Sequence, residues 1–157
     1  MQQFPRTTVG GISMPRMIIG TNWLLGWSHT GAAADAGIKE KYRRPEDFYP
    51  VLHTYLEHGV DAIMAPVSDH ELLQAGIRYA EDKDGKKIHI VDTPVLNVDD
   101  SAEARRETER LIRHSAEIGS EFCLVHHVSV EQLVNKNRRE IVRLPDYLSM
   151  IRDAGMK

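Results

Sequence analysis

At 157 residues, with 41% hydrophobic and 27% charged side chains, the chain suits a single domain spanning residues 1–157 around one core, and its composition excludes a largely disordered segment. A net charge of −3 with scattered basic residues excludes the electrostatic footprint of a nucleic-acid binder, and the single basic cluster, Lys136-Asn-Arg-Arg139, is expected to close a surface turn. No apolar run approaches the ~18 residues of a membrane span, and the N-terminus lacks the basic and apolar regions of a signal peptide, so a cytoplasmic protein is expected.

The one cysteine, Cys123, lies inside an apolar run, which predicts a buried, unreactive thiol and forbids an intrachain disulfide. In chain order, Arg6 to Met14 sets a Gly-Gly pair between two β-prone pieces, a hairpin signal. Met17-Ile-Ile-Gly20 reads as a first buried strand. The loop that follows it carries Asn22, Trp23, Trp27 and His29, and a glycine-punctuated, aromatic loop after a strand is a candidate substrate-binding rim.

Helix is favoured from Ala32 to Tyr42, and a second helix begins at Arg44-Pro-Glu-Asp-Phe48, with proline early and acids in the first turn. Phe48, Val51, Leu52, Tyr55 and Leu56 recur at helical spacing up to Gly59. Val60 to Ala65 is the second strand. Ser68-Asp-His-Glu71 then has the form of a capping box opening a helix to about Lys83. Lys87 to Asp92 is the third strand, ended by Thr93-Pro94. Asp100 or Ser101 can cap the next helix, which turns Leu111, Ile112, Ala116 and Ile118 inward. The fourth strand, 121–126, ends in His126 and His127, and a last helix runs from Leu144 to Gly155.

Strands alternating with amphipathic helices predict a parallel sheet with right-handed crossovers. A doubly wound nucleotide-binding sheet would place a glycine-rich turn after the first strand, and Gly20 to Gly26 has no such pattern. The expected fold is therefore α/β: a (β/α) half-barrel of four parallel strand-helix units behind an N-terminal β-hairpin. Half a barrel leaves strand edges and an apolar interior open, which predicts a homo-oligomer or a piece of a longer polypeptide.

The hairpin leading into Met17-Ile-Ile-Gly-Thr21, the Gly59 to Ala65 strand entering Ser68-Asp-His-Glu-Leu-Leu73, and the Leu124-Val-His126 strand end resemble the N-terminal half of the aldo-keto reductase fold. That family's catalytic aspartate and tyrosine positions fall here on Ile63 and Ser68, and Thr93-Pro94 stands at its lysine; His126 alone matches. The resemblance implies a fold and removes the phenol that would donate the proton in carbonyl reduction.

In a barrel the polar residues at strand ends gather at one mouth. His126 and Asp92 are then the candidate catalytic pair, and also the candidate ligands for a divalent metal, with Asn22, Trp23, Trp27, His29 and Ser68 as substrate-binding groups. Because neighbouring strand residues face opposite ways, only one of His126 and His127 is expected to face the mouth. No His-x-His, His-Glu-x-x-His or cysteine pair names a metal, and no motif names a cofactor. His70 is expected to face solvent, and His53, His58, His89 and His114 receive no role. Three functions remain open: an enzyme acting on a small polar metabolite, by metal-assisted hydrolysis or isomerisation; a catalytically silent half-barrel used for assembly; and, as the resemblance implies, an aldo-keto reductase-like oxidoreductase.

Overall fold

The computed structural model describes residues 4–157, which form two compact units: the described residues up to Ala65 together with His70–His89, and Pro66–Asp69 together with Ile90–Lys157. The architecture is mixed α/β, with four short parallel strands among helices and an antiparallel hairpin. No helix of the described residues is long and apolar enough to cross a membrane.

In the first unit, β1 (Arg6–Val9) pairs antiparallel with β2 (Ile12–Pro15). The two residues between them, Gly10 and Gly11, have φ of 54° and 84°, the left-handed pair that a tight hairpin turn demands and that glycine adopts without a Cβ clash. β3 (Ile19–Gly20) lies parallel to β4 (Ala62–Ala65), with Ile19 opposite Ile63 and Gly20 opposite Met64. Between them run α1 (Asn22–Leu25), α2 (Ala32–Lys41), a 3-10 turn at Pro45–Phe48 and α3 (Tyr49–Glu57). The predicted start at Pro45 is real. The Asp47 carboxylate accepts the Arg44 amide at 2.8 Å and the Arg43 amide at 3.1 Å, tying down donors that a helix start leaves orphaned.

α4 (Glu71–Asp84) buries Leu73, Ile77 and Ala80, while α3 buries Leu52 and Leu56. Gly76 is where α4 approaches Phe48 so closely that a Cβ would stand 2.8 Å from the ring. The expected capping box is absent: α4 starts at His70 with no side-chain cap, and Ser68 sits in a separate 3-10 turn, Val67–Asp69.

The second unit pairs β5 (His89–Asp92; Ile90 onward in this unit) with β6 (Phe122–Cys123), again parallel, with Asp92 opposite Cys123. α5 (Ala102–Glu117) connects them, and Ser101 caps it by accepting the Ala104 amide at 3.1 Å. Its buried face is Ala104, Thr108, Ile112 and Ser115, two of them polar. The core of this unit gathers Leu96, Val98, Ile112, Cys123, Leu133, Tyr147, Ile151 and Met156.

The fourth strand is shorter than the 121–126 expected. It pairs residue for residue with β5, Val91 opposite Phe122 and Asp92 opposite Cys123, and its flanks are held by the Glu121 amide to Ile90 O at 3.3 Å and the Leu124 amide to Asp92 O at 2.8 Å. On its other side the Cys123 amide donates to Lys157 O at 3.0 Å, and Lys157 returns its own amide to Glu121 O at 3.0 Å.

Residues 127–143, where the sequence announces only the basic turn, hold more structure: α6 (His127–Gln132) and a hairpin of β7 (Val134–Asn135) and β8 (Glu140–Ile141). The turn of that hairpin is Lys136 to Arg139, as its composition suggested. α7 (Leu144–Asp153) follows, with Gly155 left-handed behind it at φ 85°.

Candidate functional site

In the first unit the rim residues cluster on the segment after β3. Thr21 donates its hydroxyl to Met64 O at 3.2 Å, anchoring the start of this segment to β4. α1 ends at Gly26, left-handed at φ 74°, and the chain turns back so that Asn22 Nδ2 meets His29 Nε2 at 2.8 Å. The amide N–H of Asn22 donates in that bond. His29 itself is left-handed, at φ 59°, a conformation that costs a non-glycine residue about 1 kcal/mol or more. The far end is held by Asp35, whose carboxylate accepts the Ser28 hydroxyl at 2.6 Å and the Ser28 amide at 2.7 Å. These bonds hold the Asp35 carboxyl below the usual carboxylate range.

Trp23 is 60% exposed, and Trp27 meets His70 edge-on with ring centroids 5.2 Å apart. His70, expected to face solvent, is half-buried by that contact. Two contacts thus involve this segment, Asn22 with His29 and Trp27 with His70, and Trp23 is exposed on the same segment. An exposed indole ring can stack on a small polar ring.

In the second unit Asp92 is fully buried, and both carboxylate oxygens are engaged. Oδ1 accepts the Ser68 amide at 3.1 Å, and Oδ2 accepts the Ser115 hydroxyl at 2.5 Å. Its own amide donates to Ser120 Oγ at 3.2 Å. The expected pairing of this carboxylate is thus met by protein donors, one of them a loop amide.

Cys123 lies opposite Asp92, and burial, then the Asp92 charge, push its thiol up to about 12, which fits the unreactive thiol read from the sequence.

His126 and His127 do not alternate across a strand as expected, because the strand has already ended. His126 donates its amide to Pro94 O at 3.0 Å and then caps α6, its Nδ1 accepting the Val128 amide at 3.3 Å. The two imidazoles consequently stand side by side, centroids 4.3 Å apart. With Nδ1 as acceptor, the neutral ring of His126 carries its proton on Nε2. Burial, then the neighbouring His127, lower the His126 pKa, so the neutral form dominates.

Among the described residues no group of three or more His, Cys, Asp or Glu side chains is placed to hold a metal ion.

A network that sequence reasoning missed joins α3 to α4. Asp84 accepts the Tyr49 hydroxyl at 2.9 Å and His53 Nδ1 at 2.9 Å, and His53 Nε2 faces Glu57 at 3.6 Å. The bond to Asp84 raises the His53 pKa. Burial pushes the Asp84 carboxyl up, but its bonds from His53 and Tyr49 outweigh this and hold it low. Tyr49 and His53, four apart on one helix, were the available signal, but nothing local names a partner 31 residues away. No family model, no curated protein and no solved structure matches this chain.

Proposed function

We propose that this chain is a (β/α) half-barrel enzyme acting on a small polar molecule, with His126 as its acid–base group. The observation that carries this reading is the hydrogen bond from the Val128 amide to His126 Nδ1, which fixes the tautomer with the proton on Nε2. A neutral imidazole of lowered pKa, half-buried after a parallel strand, is suited to hold a hydrogen bond from Nε2 to a substrate oxygen and polarise it in hydrolysis or isomerisation. Asp92 enters as a positioning residue: its carbonyl accepts the Leu124 amide, and its carboxylate holds the Val67–Asp69 turn and α5.

The test is a thermal-shift screen of small hydroxy, keto and amino acids, followed by turnover of the hits. His126→Ala should abolish turnover and His126→Gln, which retains an N–H, should restore binding without it. The acid limb of the rate profile should lie below about pH 6.5. Unchanged turnover in His126→Ala would remove the assignment.

A second reading, assembly through an open strand face, is favoured by the first unit. Met64 is 36% exposed beside Ile63 at 0% and Ala65 at 2%, Gly20 opposite it is also exposed, and Ile18 is 41% exposed. On this reading Met64→Lys lowers the sedimenting mass of the wild-type protein; a wild-type monomer in dilute solution would dismiss it. A reductase activity has no support at Ile63 and Ser68, since neither side chain is a phenol and both are buried.

A further inference from the structure

The hairpin around Lys136 does more than close a surface turn. With the last turn of α6 and the Val98-Asp99 segment, it encloses an open cavity of about 610 Å³, within the range of small-ligand pockets. The cavity is formed wholly within the second unit, and His126 is not among the residues that line it.

One wall is held rigidly by Arg143. This residue is left-handed, at φ 58°, and its side chain is only 18% exposed. Its guanidinium donates to Val98 O, to Asp99 O at 3.3 Å and to Asp100 Oδ1 at 3.0 Å. These charge-assisted bonds offset the backbone strain and pin the 98–100 loop to the start of α7. The hairpin is stiffened in turn by Asn135, whose Oδ1 accepts the Arg138 amide at 3.1 Å. The pocket is therefore shaped before any ligand arrives.

Its chemistry has two signs. The Lys136 ammonium and the Asp99 carboxylate both line it, both are exposed, and neither side chain makes a salt bridge among the described residues. Leu133, Val134 and Val142 supply apolar surface, and Val134 and Val142 are 44% and 39% exposed. An anion-only site would not carry Asp99, and a cation-only site would not carry Lys136. The geometry points to a binding site for a small zwitterion, a free α-amino acid with an aliphatic side chain. The ligand's ammonium meets Asp99, its carboxylate meets Lys136 and the Asn137 amide, and its side chain lies on the valines.

The experiment is a calorimetric or NMR titration of the whole chain with L-leucine, beside 4-methylpentanoate, which lacks the ammonium, and 3-methylbutylamine, which lacks the carboxylate. Saturable leucine binding is expected, with each analogue and each of Lys136→Met and Asp99→Asn weaker by about tenfold or more. Both substituted side chains are exposed, so these variants keep the fold, and unfolding curves check it. His126→Asn, whose side-chain oxygen can still accept the Val128 amide and cap α6, should bind leucine as the wild type does, which separates this site from the proposed reaction centre. Absence of saturable binding up to the solubility of leucine overturns the proposal, as does 4-methylpentanoate binding as well as leucine, or indifference of binding to both variants.

Discussion

Replacing Asp92 separates a buried structural carboxylate from a chemically active one. In Asp92→Ala, the Ser68 amide loses the carboxylate oxygen it bonds, while the Ser115 hydroxyl keeps Leu111 O, 3.2 Å away. A buried donor stripped of its acceptor costs about 1–3 kcal/mol. The net expectation is a loss of about 1–3 kcal/mol. Asp92→Asn behaves differently. Its amide oxygen still accepts the Ser68 N–H, and its NH₂ donates to Ser115 Oγ, whose proton swings to Leu111 O, 3.2 Å away. The network closes again, for about 1 kcal/mol or less. Urea unfolding followed by circular dichroism measures both, and each kcal/mol corresponds to about 2–4 °C in Tm for a chain of this size. An Asn variant as unstable as the Ala variant, or an Ala variant within about 0.5 kcal/mol of wild type, would refute this account of the site.

The His53–Asp84 pair makes stability depend on pH in a direction set by its shifts. His53 has a raised folded pKa, so its contribution is complete below the unfolded value of about 6.5 and fades as pH rises through the folded value. Asp84 has a lowered one, so its share persists above about 3.9 and is lost as pH falls through the folded value. The stability gap between wild type and His53→Leu should therefore narrow between about pH 5 and about pH 8; a flat gap contradicts the pairing. Gly76→Ala should destabilise by about 1–2 kcal/mol, the clash with Phe48 exceeding the helix-propensity gain of about 1 kcal/mol. Phe48 cannot swing aside, because it is 1% exposed and stacked on Tyr42 at 4.9 Å, and Phe48→Leu in the same chain should recover part of the loss. Cys123 should react with iodoacetamide at mildly alkaline pH far more slowly folded than in urea; equal rates would contradict the burial of its thiol.

The elements that carry their own signal were legible in the sequence. The Gly10-Gly11 hairpin, the Pro45 start, the Ser101 cap and the Gly155 stop each rest on one or two residues whose backbone preferences act locally. Alternation of strand and amphipathic helix likewise announced parallel strands, since burial of one face at a fixed period is a property of the segment itself. The site was legible only as residue types. Asp92 was expected to need a partner because a buried carboxylate without one is costly, but that Ser68 and Ser115 supply it depends on donors 24 and 23 residues away. The capping box at Ser68 failed because Ser68 lies in a separate 3-10 turn, Val67–Asp69, and the helix begins after His70. The side-by-side placing of His126 and His127 follows from the strand ending at Cys123 and from His126 capping α6 by accepting the Val128 amide. Local propensity set where the elements lie. Hydrogen bonds between residues far apart in the chain decided what their polar side chains face, because a buried donor or acceptor is satisfied by whatever partner the packing brings to it.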